Sequence, residues 1–319
     1  MKLLVTGGAG YIGSTVATLL LEAGHEVVIL DDLSTGHHEA VPPGATFVHG
    51  SVQDTAAKIL MPSAGFDGVL HFAAFIAVAE SVQAPEKYWA NNVGGTMALL
   101  DAMRAAGVPR LIFSSTGTVH GNTQELPIPE TAPTNPLNPY AASKLAVDYM
   151  LGGEAAAHGL ATVSLRYFNA AGSYRGCGER HHPETHLIPI VLQVAAGLLE
   201  KLPLYGDDYP TPDGTCIRDY IHVADLGAAH LLALDAVQPG QHRIYNLGNG
   251  NGYSNKQVVE AVREVTGHLV PIEMAPRRPG DIVAQVASSE KARTELGWVP
   301  AKPSLHDIIA DAWAFARAR

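Results

Sequence analysis

Short uninterrupted apolar or β-branched runs punctuate the first half of the chain: Leu3-Leu4-Val5, Val27-Val28-Ile29-Leu30, Thr46-Phe47-Val48, Val69-Leu70-His71-Phe72 and Leu111-Ile112-Phe113. Between them lie longer stretches whose apolar residues recur at helical spacing. Runs this short, apolar at consecutive positions, suit strands buried on both faces, and their alternation with helices predicts βαβ units around a parallel sheet. A sixth strand is expected at Ala161-Thr162-Val163-Ser164-Leu165-Arg166, after a helix from about 141 to 158, and would complete that sheet.

Beyond Asn169 the pattern changes to Gly-, His- and Pro-rich loops over 172–183 and 203–214, broken by amphipathic helices near 188–199, 225–235 and 254–264. The expected organisation is α/β: a doubly wound parallel-sheet domain over 1–170 and a smaller mixed α/β domain over 171–319, with some segments returning to the first. In such folds ligands sit at the carboxyl ends of the strands, so the second domain is expected to close over that edge.

Composition narrows the function. With 319 residues, 47% hydrophobic and 16% charged, the chain can bury a full core. Its net charge of -10 is spread without acidic or basic blocks, which argues against nucleic acid or an anionic membrane as partner. Cys177 and Cys216 belong to no metal-spaced set and read as reduced thiols. The first apolar run is too short for a signal segment, and none approaches the ~18 residues of a membrane span, so a cytoplasmic protein is expected.

The first strand runs into Thr6-Gly7-Gly8-Ala9-Gly10-Tyr11-Ile12-Gly13, which opens a helix with Val16, Leu19 and Leu20 on its apolar side. Glycines here permit a tight turn, backbone approach to a pyrophosphate at the helix N-terminus, and close helix-on-strand packing. Asp31 ends the second strand about 20 residues on, where a carboxylate accepts from ribose hydroxyls. Asp32 beside it repels a 2′-phosphate, which favours NAD over NADP. The competing readings are a plain capping aspartate and a methyltransferase glycine loop.

A second motif, Asn138-Pro139-Tyr140-Ala141-Ala142-Ser143-Lys144, reads as a capped helix start with Tyr140 and Lys144 one turn apart on one face. At ~6 Å and an effective dielectric near 20, the ammonium favours the phenolate by about 3 kcal/mol, or ~2 pKa units. The positive nicotinamide ring would supply the rest, coupling proton removal to hydride removal. Taken alone the spacing also fits a surface tyrosine beside a solvated lysine. Phe113-Ser114-Ser115-Thr116, just after the fifth strand, adds a hydroxyl at the same edge.

Together these residues resemble the extended short-chain dehydrogenase/reductase family along essentially the whole chain. Further likenesses are His71-Phe72-Ala73-Ala74, Glu80-Ser81-Val82, Asn91-Asn92-Val93, Leu165-Arg166-Tyr167-Phe168-Asn169 and Gly206-Asp207-Asp208-Tyr209-Pro210-Thr211. The most specific are the run from Gly214 to Val223 and Arg277-Arg278-Pro279-Gly280-Asp281. The resemblance implies a Rossmann domain holding NAD through Gly7, Gly10, Tyr11, Ile12, Gly13, Asp31, Asp32, Thr35, Gly36, Ser51, Val52, Phe72, Ala73, Ala74, Asn92, Ser114, Tyr140, Lys144 and Tyr167. It implies a UDP-hexose with Arg218 and Arg278 on the diphosphate, Asn169, His186 and Leu187 beside it, Tyr205 near the uracil, Tyr220 adjacent and Asp281 on the ribose. Two guanidiniums suit a diphosphate.

By the same likeness Tyr140 takes the proton of the sugar 4-hydroxyl, Thr116 holds its oxygen, Lys144 assists, and the keto sugar turns over before the hydride returns. A homodimer built from helices of the first domain is also implied. The runner-up, a nucleotide-sugar 4,6-dehydratase, needs an acid just after the catalytic hydroxyl, and Thr116-Gly117-Thr118-Val119-His120 has none. A non-catalytic NAD sensor could dispense with Tyr140, Lys144 and Thr116. Departures from the family pattern are Ser51, Ile76, His120 and His186, and Gln285 falls where side-chain size governs access of N-acetylated sugars. His181, His182 and His186 lie without a matching acid or cysteine cluster, so no metal is expected.

Overall fold

The structure, a computed structural model, describes residues 1–278 and 281–318; Pro279 and Gly280 of the Arg-Arg-Pro-Gly-Asp motif lie outside them. Its centre is a sheet of β1 (Lys2–Thr6), β2 (Glu26–Asp31), β3 (Thr46–His49), β4 (Gly68–His71), β5 (Arg110–Thr116), β6 (Ala161–Tyr167) and β7 (His242–Leu247). These strands pair in the order β3-β2-β1-β4-β5-β6-β7, every neighbour parallel.

Side chains alternate faces along a strand, and both faces are covered. Leu3 and Val5 point into one cluster with Val16, Ala17 and Leu20 of α1 (Tyr11–Glu22) and Leu226, Ala229 and Ala233 of a later helix. Leu4 points into the other, against Val52 and Ala56 of α2 (Val52–Ile59), Leu99 and Met103 of α3 (Gly95–Ala106), and Val147 and Leu151 of α4 (Pro139–His158). Burial on both sides is why these strands read as plain apolar runs rather than alternating ones.

All six expected strands form, but β6 is not the edge. His242-Arg243-Ile244-Tyr245-Asn246-Leu247 pairs along its whole length and adds a seventh strand. Its mixed polarity hid it, because an edge strand shields only part of its length. The helix that returns to the first layer is α6 (Val223–Ala236), packed against α1.

The remaining chain forms a third cluster from Ile188, Val191 and Leu192 of α5 (Leu187–Ala195), Tyr220, Val258, Val259 and Val262 of α7 (Asn255–Thr266), and Ile308 of α8 (Leu305–Arg317). The strand Ile217–His222 organises it, pairing with Asn169–Ala171, Gly252–Ser254 and Ala284–Gln285. Helix α5 stops earlier than the expected 199, because the chain turns at Gly197 with φ +74°. Among the described residues no helix is long and apolar enough to cross a membrane.

Candidate functional site

Strand order reverses between β1 and β4, and the glycine turn leaves β1 at that switch point. Gly7 has φ +70°, and a Cβ there would stand 2.5 Å from the Ala73 nitrogen; at Gly13 it would stand 2.2 Å from the Gly7 oxygen. The turn is therefore closed to side chains. Gly10 caps α1 without a side-chain bond, which leaves the first-turn N–H groups facing outward for an anion. Ile12 packs on the core, while the Tyr11 hydroxyl donates to the Gly172 oxygen at 2.7 Å and ties the turn to the second half of the chain.

Asp31 is buried beside the turn. Its oxygens accept from the Ala9 and Leu33 amides, both at 2.9 Å, and burial lifts its carboxyl above the ordinary range despite those bonds. Part of the capping reading is thus correct: Asp31 fixes the 31–34 bend as well as facing the turn, and Asp32 accepts from Ser34 N at 2.9 Å. Gly36 has no room for a Cβ against Asp31, and Thr35 shares a small hollow with Ala9, Gly10 and Tyr11. The Gly50 amide, bonded to the Asp31 carbonyl, brings Ser51 and Val52 alongside. The Ser51 hydroxyl is already committed to capping α2, donating to Asp54 at 2.7 Å.

On the β4 side, Phe72 N donates to the Thr6 oxygen at 2.9 Å, with Ala73 against Gly7 and Ala74 following. The Asn92 carboxamide is fully used: it accepts from Phe75 N at 2.9 Å and donates to the Phe75 oxygen at 3.0 Å and to Ser143 Oγ at 3.1 Å. It braces the switch-point loop to α4. Burial, with Lys144 nearby, drives His71 down to about 3, so that imidazole is neutral and structural.

Asn138 caps α4 by accepting from Ala141 N at 2.9 Å, and Pro139 supplies a preset first turn. Tyr140 and Lys144 follow on one face. Lys144 is 2% exposed, its Nζ donating to the Ser114 carbonyl at 2.8 Å and lying 4.8 Å from the Phe113 ring centroid. Burial lowers it to about 7, with Asp148 opposing. Burial likewise raises the Tyr140 phenol, with the Thr116 hydroxyl opposing. Here the expectation needs correcting. In the chain alone the Tyr140 phenol is raised rather than lowered, because burial opposes the phenolate and the Lys144 ammonium turns to the Ser114 carbonyl.

Thr116 ends β5, accepts from Thr118 N at 3.2 Å and shares a 2.9 Å contact with the Thr118 hydroxyl. Tyr167 faces Ser114, but its hydroxyl is spent on a short bond to His230 Nε2, whose Nδ1 donates to the Leu226 oxygen at 2.9 Å. The next residue of the motif carries no role in the sequence reading: the Phe168 ring lies against Gly117, where a Cβ would come within 2.6 Å. Strand alternation after the buried Tyr167 would have pointed to it.

The strand Ile217–His222 continues this edge, since Asn169–Ala171, just past β6, pairs with its second half. Asn169 donates to the Asp219 carbonyl at 3.1 Å. Asp219 is fully buried and accepts from the Asn249, Gly250 and Ala287 amides at 2.9–3.0 Å, with burial lifting it to about 6. It therefore does not neutralise Arg218. Arg278 stacks 4.0 Å over the Tyr205 ring, whereas Arg277 is the one tied to Asp208. Among the described residues neither Arg218 nor Arg278 enters an ion pair.

Tyr220 is buried, and Asp281 accepts from the Tyr209 hydroxyl at 3.5 Å. Gln285 pairs in register with Arg218 and keeps a buried amide nitrogen that has no partner among the described residues. Leu187 opens α5 with His186 as its cap residue. An acid does join the histidines after all: Glu179 Oε1 lies 2.5 Å from His181 Nδ1, and Glu179 Oε2 lies 3.8 Å from His186 Nδ1. Sequence spacing could not show that the loop folds back on Glu179. Each imidazole already has a carboxylate partner, Glu184 sitting 2.7 Å from His186. Although burial opposes it, Glu184 and Glu179 raise the basicity of His186.

Residues 3–248 match the NAD dependent epimerase/dehydratase family. The UDP-glucose 4-epimerase of Streptomyces lividans is 60% identical over 314 residues, covering 98% of this chain and 95% of that protein. A UDP-glucose-4-epimerase from Stenotrophomonas maltophila, crystallised with NAD and formylated UDP-arabinopyranose, superposes with TM-score 0.94 at 41% identity, covering 100% of this chain and 98% of that one. The Bifidobacterium longum UDP-glucose 4-epimerase with NAD+ and UDP gives TM-score 0.93 at 38% identity, covering 100% and 99%.

Proposed function

This chain belongs to the NAD-dependent epimerase/dehydratase family, and on that footing we propose that it interconverts UDP-galactose and UDP-glucose by inverting the 4-hydroxyl through a transient 4-keto sugar. The observation that carries this reading is the convergence of Tyr140, Lys144 and Thr116 on the strand edge beside a glycine turn closed to side chains. The Gly7 and Gly13 cradle, the uncapped α1 N-terminus and Asp31 fit a dinucleotide. When bound, NAD accepts the C4 hydride and gives it back.

The protein's own groups do the remaining work. Tyr140 removes the proton of the sugar 4-hydroxyl, Thr116 orients that oxygen, and Lys144 stabilises the phenolate once cofactor charge is present. Arg218 and Arg278 hold the diphosphate, with His186, Leu187 and Asn169 beside it, Tyr205 at the uracil, and Tyr220 and Asp281 at the ribose side. Gln285, next to Arg218, borders the hexose. The chain then divides near residue 170 into an NAD half and a nucleotide-sugar half, with α6 and β7 returning to the first. Dehydration is disfavoured because Gly117 follows Thr116 where an acid would be required.

NMR of both sugars tests this: purified protein without added NAD should interconvert them, and a 4-keto-6-deoxy product instead would transfer the reading to dehydration. Arg218→Met should raise KM for the UDP-sugar on the order of 10- to 100-fold, with kcat changed far less, because a charge-assisted diphosphate contact is lost from ground and transition states alike. Steady-state kinetics resolves the two constants.

The proposal includes a cytoplasmic homodimer. Buried, unpaired Cys177 and Cys216 suit a reducing compartment. Trp89, Met97 and Tyr149 expose 42%, 54% and 71% of their surface on the helices around α3 and α4, an apolar face a second copy would cover. Light scattering should give twice 33.6 kDa, falling to one chain for Met97→Glu combined with Tyr149→Glu.

A further inference from the structure

Asp148 lies one helical turn beyond Lys144 on α4 and is 4% exposed. Its Oδ2 accepts from Arg166 Nε at 3.1 Å and Nη2 at 3.0 Å, reaching from β6, and from Ser115 Oγ of β5 at 3.2 Å. Its Oδ1 is buried with no partner among the described residues. Arg166 is as deeply buried, and its Nη1 lies 3.4 Å from His120 Nε2. An ion pair closed to water is a weak source of stability, since desolvation consumes most of the attraction. One held on a single edge, directly beneath a buried lysine, points to a role in the site.

We propose that Asp148 is a positioning residue for proton transfer: Arg166 and Ser115 anchor it so that its free oxygen holds a negative charge near the Lys144 ammonium without binding it, keeping that ammonium charged in a dry site. The idea rests on Tyr140 and Lys144 being the reacting pair. Among the described residues the surroundings offer no substitute. Around the pair stand Tyr140 itself, Tyr88 of the short helix Pro85–Tyr88 with its hydroxyl donating to Glu80, the neutral His71 of β4, the Ser114 carbonyl of β5, and Tyr167 of β6 bonded to His230. Around Asp148 stand Arg166, His120 and His242 of β7, the two imidazoles lowered chiefly by burial. Burial pushes Lys144 down to about 7 even with Asp148 opposing, and Asp148 is the carboxylate that raises it.

Tyr140 and Lys144 lose their first proton as a unit. The productive form, phenolate beside ammonium, carries the same number of protons as phenol beside neutral amine. Without the Asp148 charge, that first proton leaves at lower pH and less of the product is phenolate. Asp148→Asn should therefore move the acid limb of the kcat profile down by about one pH unit and lower the plateau about tenfold. Lost packing alone would lower the plateau and leave the limb in place.

Because Asp148→Asn strands the buried Arg166, the double variant Asp148→Asn/Arg166→Met is measured beside it and should show the same downward direction with a smaller shift. Asp148→Glu should restore the limb. An unmoved limb in both charge-removing variants, with Tyr140→Phe inactive, overturns the role of Asp148 alone. A Tyr140→Phe enzyme of undiminished rate overturns the reacting pair and this inference with it.

Discussion

Tyr140→Phe should lose on the order of a thousandfold in turnover and almost nothing in stability. The substitution removes one oxygen whose protein partner is the Thr116 hydroxyl, while the ring keeps its packing in the first turn of α4. General-base steps contribute roughly 10²- to 10⁴-fold, and no other group at the strand edge can take over. Lys144 is bound to the Ser114 carbonyl, Thr116 is an ordinary hydroxyl, and His71 is locked between Thr6 and Thr96. The loss should therefore appear in kcat, with NAD still bound after purification. Sugar interconversion by NMR and cofactor absorbance read both, and a variant with more than a tenth of the parent rate would remove Tyr140 from its role.

The position of that tyrosine could be read in the sequence; its acidity could not. A cap residue, a proline and a four-residue spacing are local features, so Asn138, Tyr140 and Lys144 fall where the spacing puts them. Whether a buried ammonium helps a buried phenol depends on desolvation by β4, β5 and β6, which no local pattern encodes. Burial raises Tyr140 and lowers Lys144 in the chain itself, so the cofactor's charge and the Asp148 carboxylate carry more of the task than the simple pair suggested.

The same division runs through the rest of the molecule. Strands β1, β2, β4, β5 and β6 are buried and declare themselves as apolar runs; of the two edges, β3 still shows the half-buried pair Phe47 and Val48, whereas the polar positions of β7 masked it. Arg218 is legible by its motif, yet its freedom depends on Asp219 turning away to hold three backbone amides, a non-local arrangement. Glu179 meets His181 and His186 only because the loop doubles back. Tyr167 belongs to the motif, but its hydroxyl is taken by His230 from a helix more than sixty residues away.

Gly7→Ala should cost about 3 kcal/mol or more of stability and empty the cofactor cradle. Two penalties combine. The residue holds φ +70°, where a Cβ costs roughly 1–2 kcal/mol. That Cβ would also stand 2.5 Å from the Ala73 nitrogen and 2.8 Å from the Phe72 carbonyl carbon, main-chain atoms that cannot rotate away. Relief would require β1 and β4 to part at the switch point, disturbing the amides meant for the pyrophosphate. Gly24→Ala supplies the comparison, since Gly24 has φ +82° but nothing within 4 Å of its Cβ position. It should cost about 1 kcal/mol and keep its NAD. Urea unfolding and cofactor content of the two variants separate conformational strain from the closed cradle. If Gly7→Ala unfolds with Gly24→Ala and retains full NAD, the close approach of β1 and β4 is not what shapes the dinucleotide site.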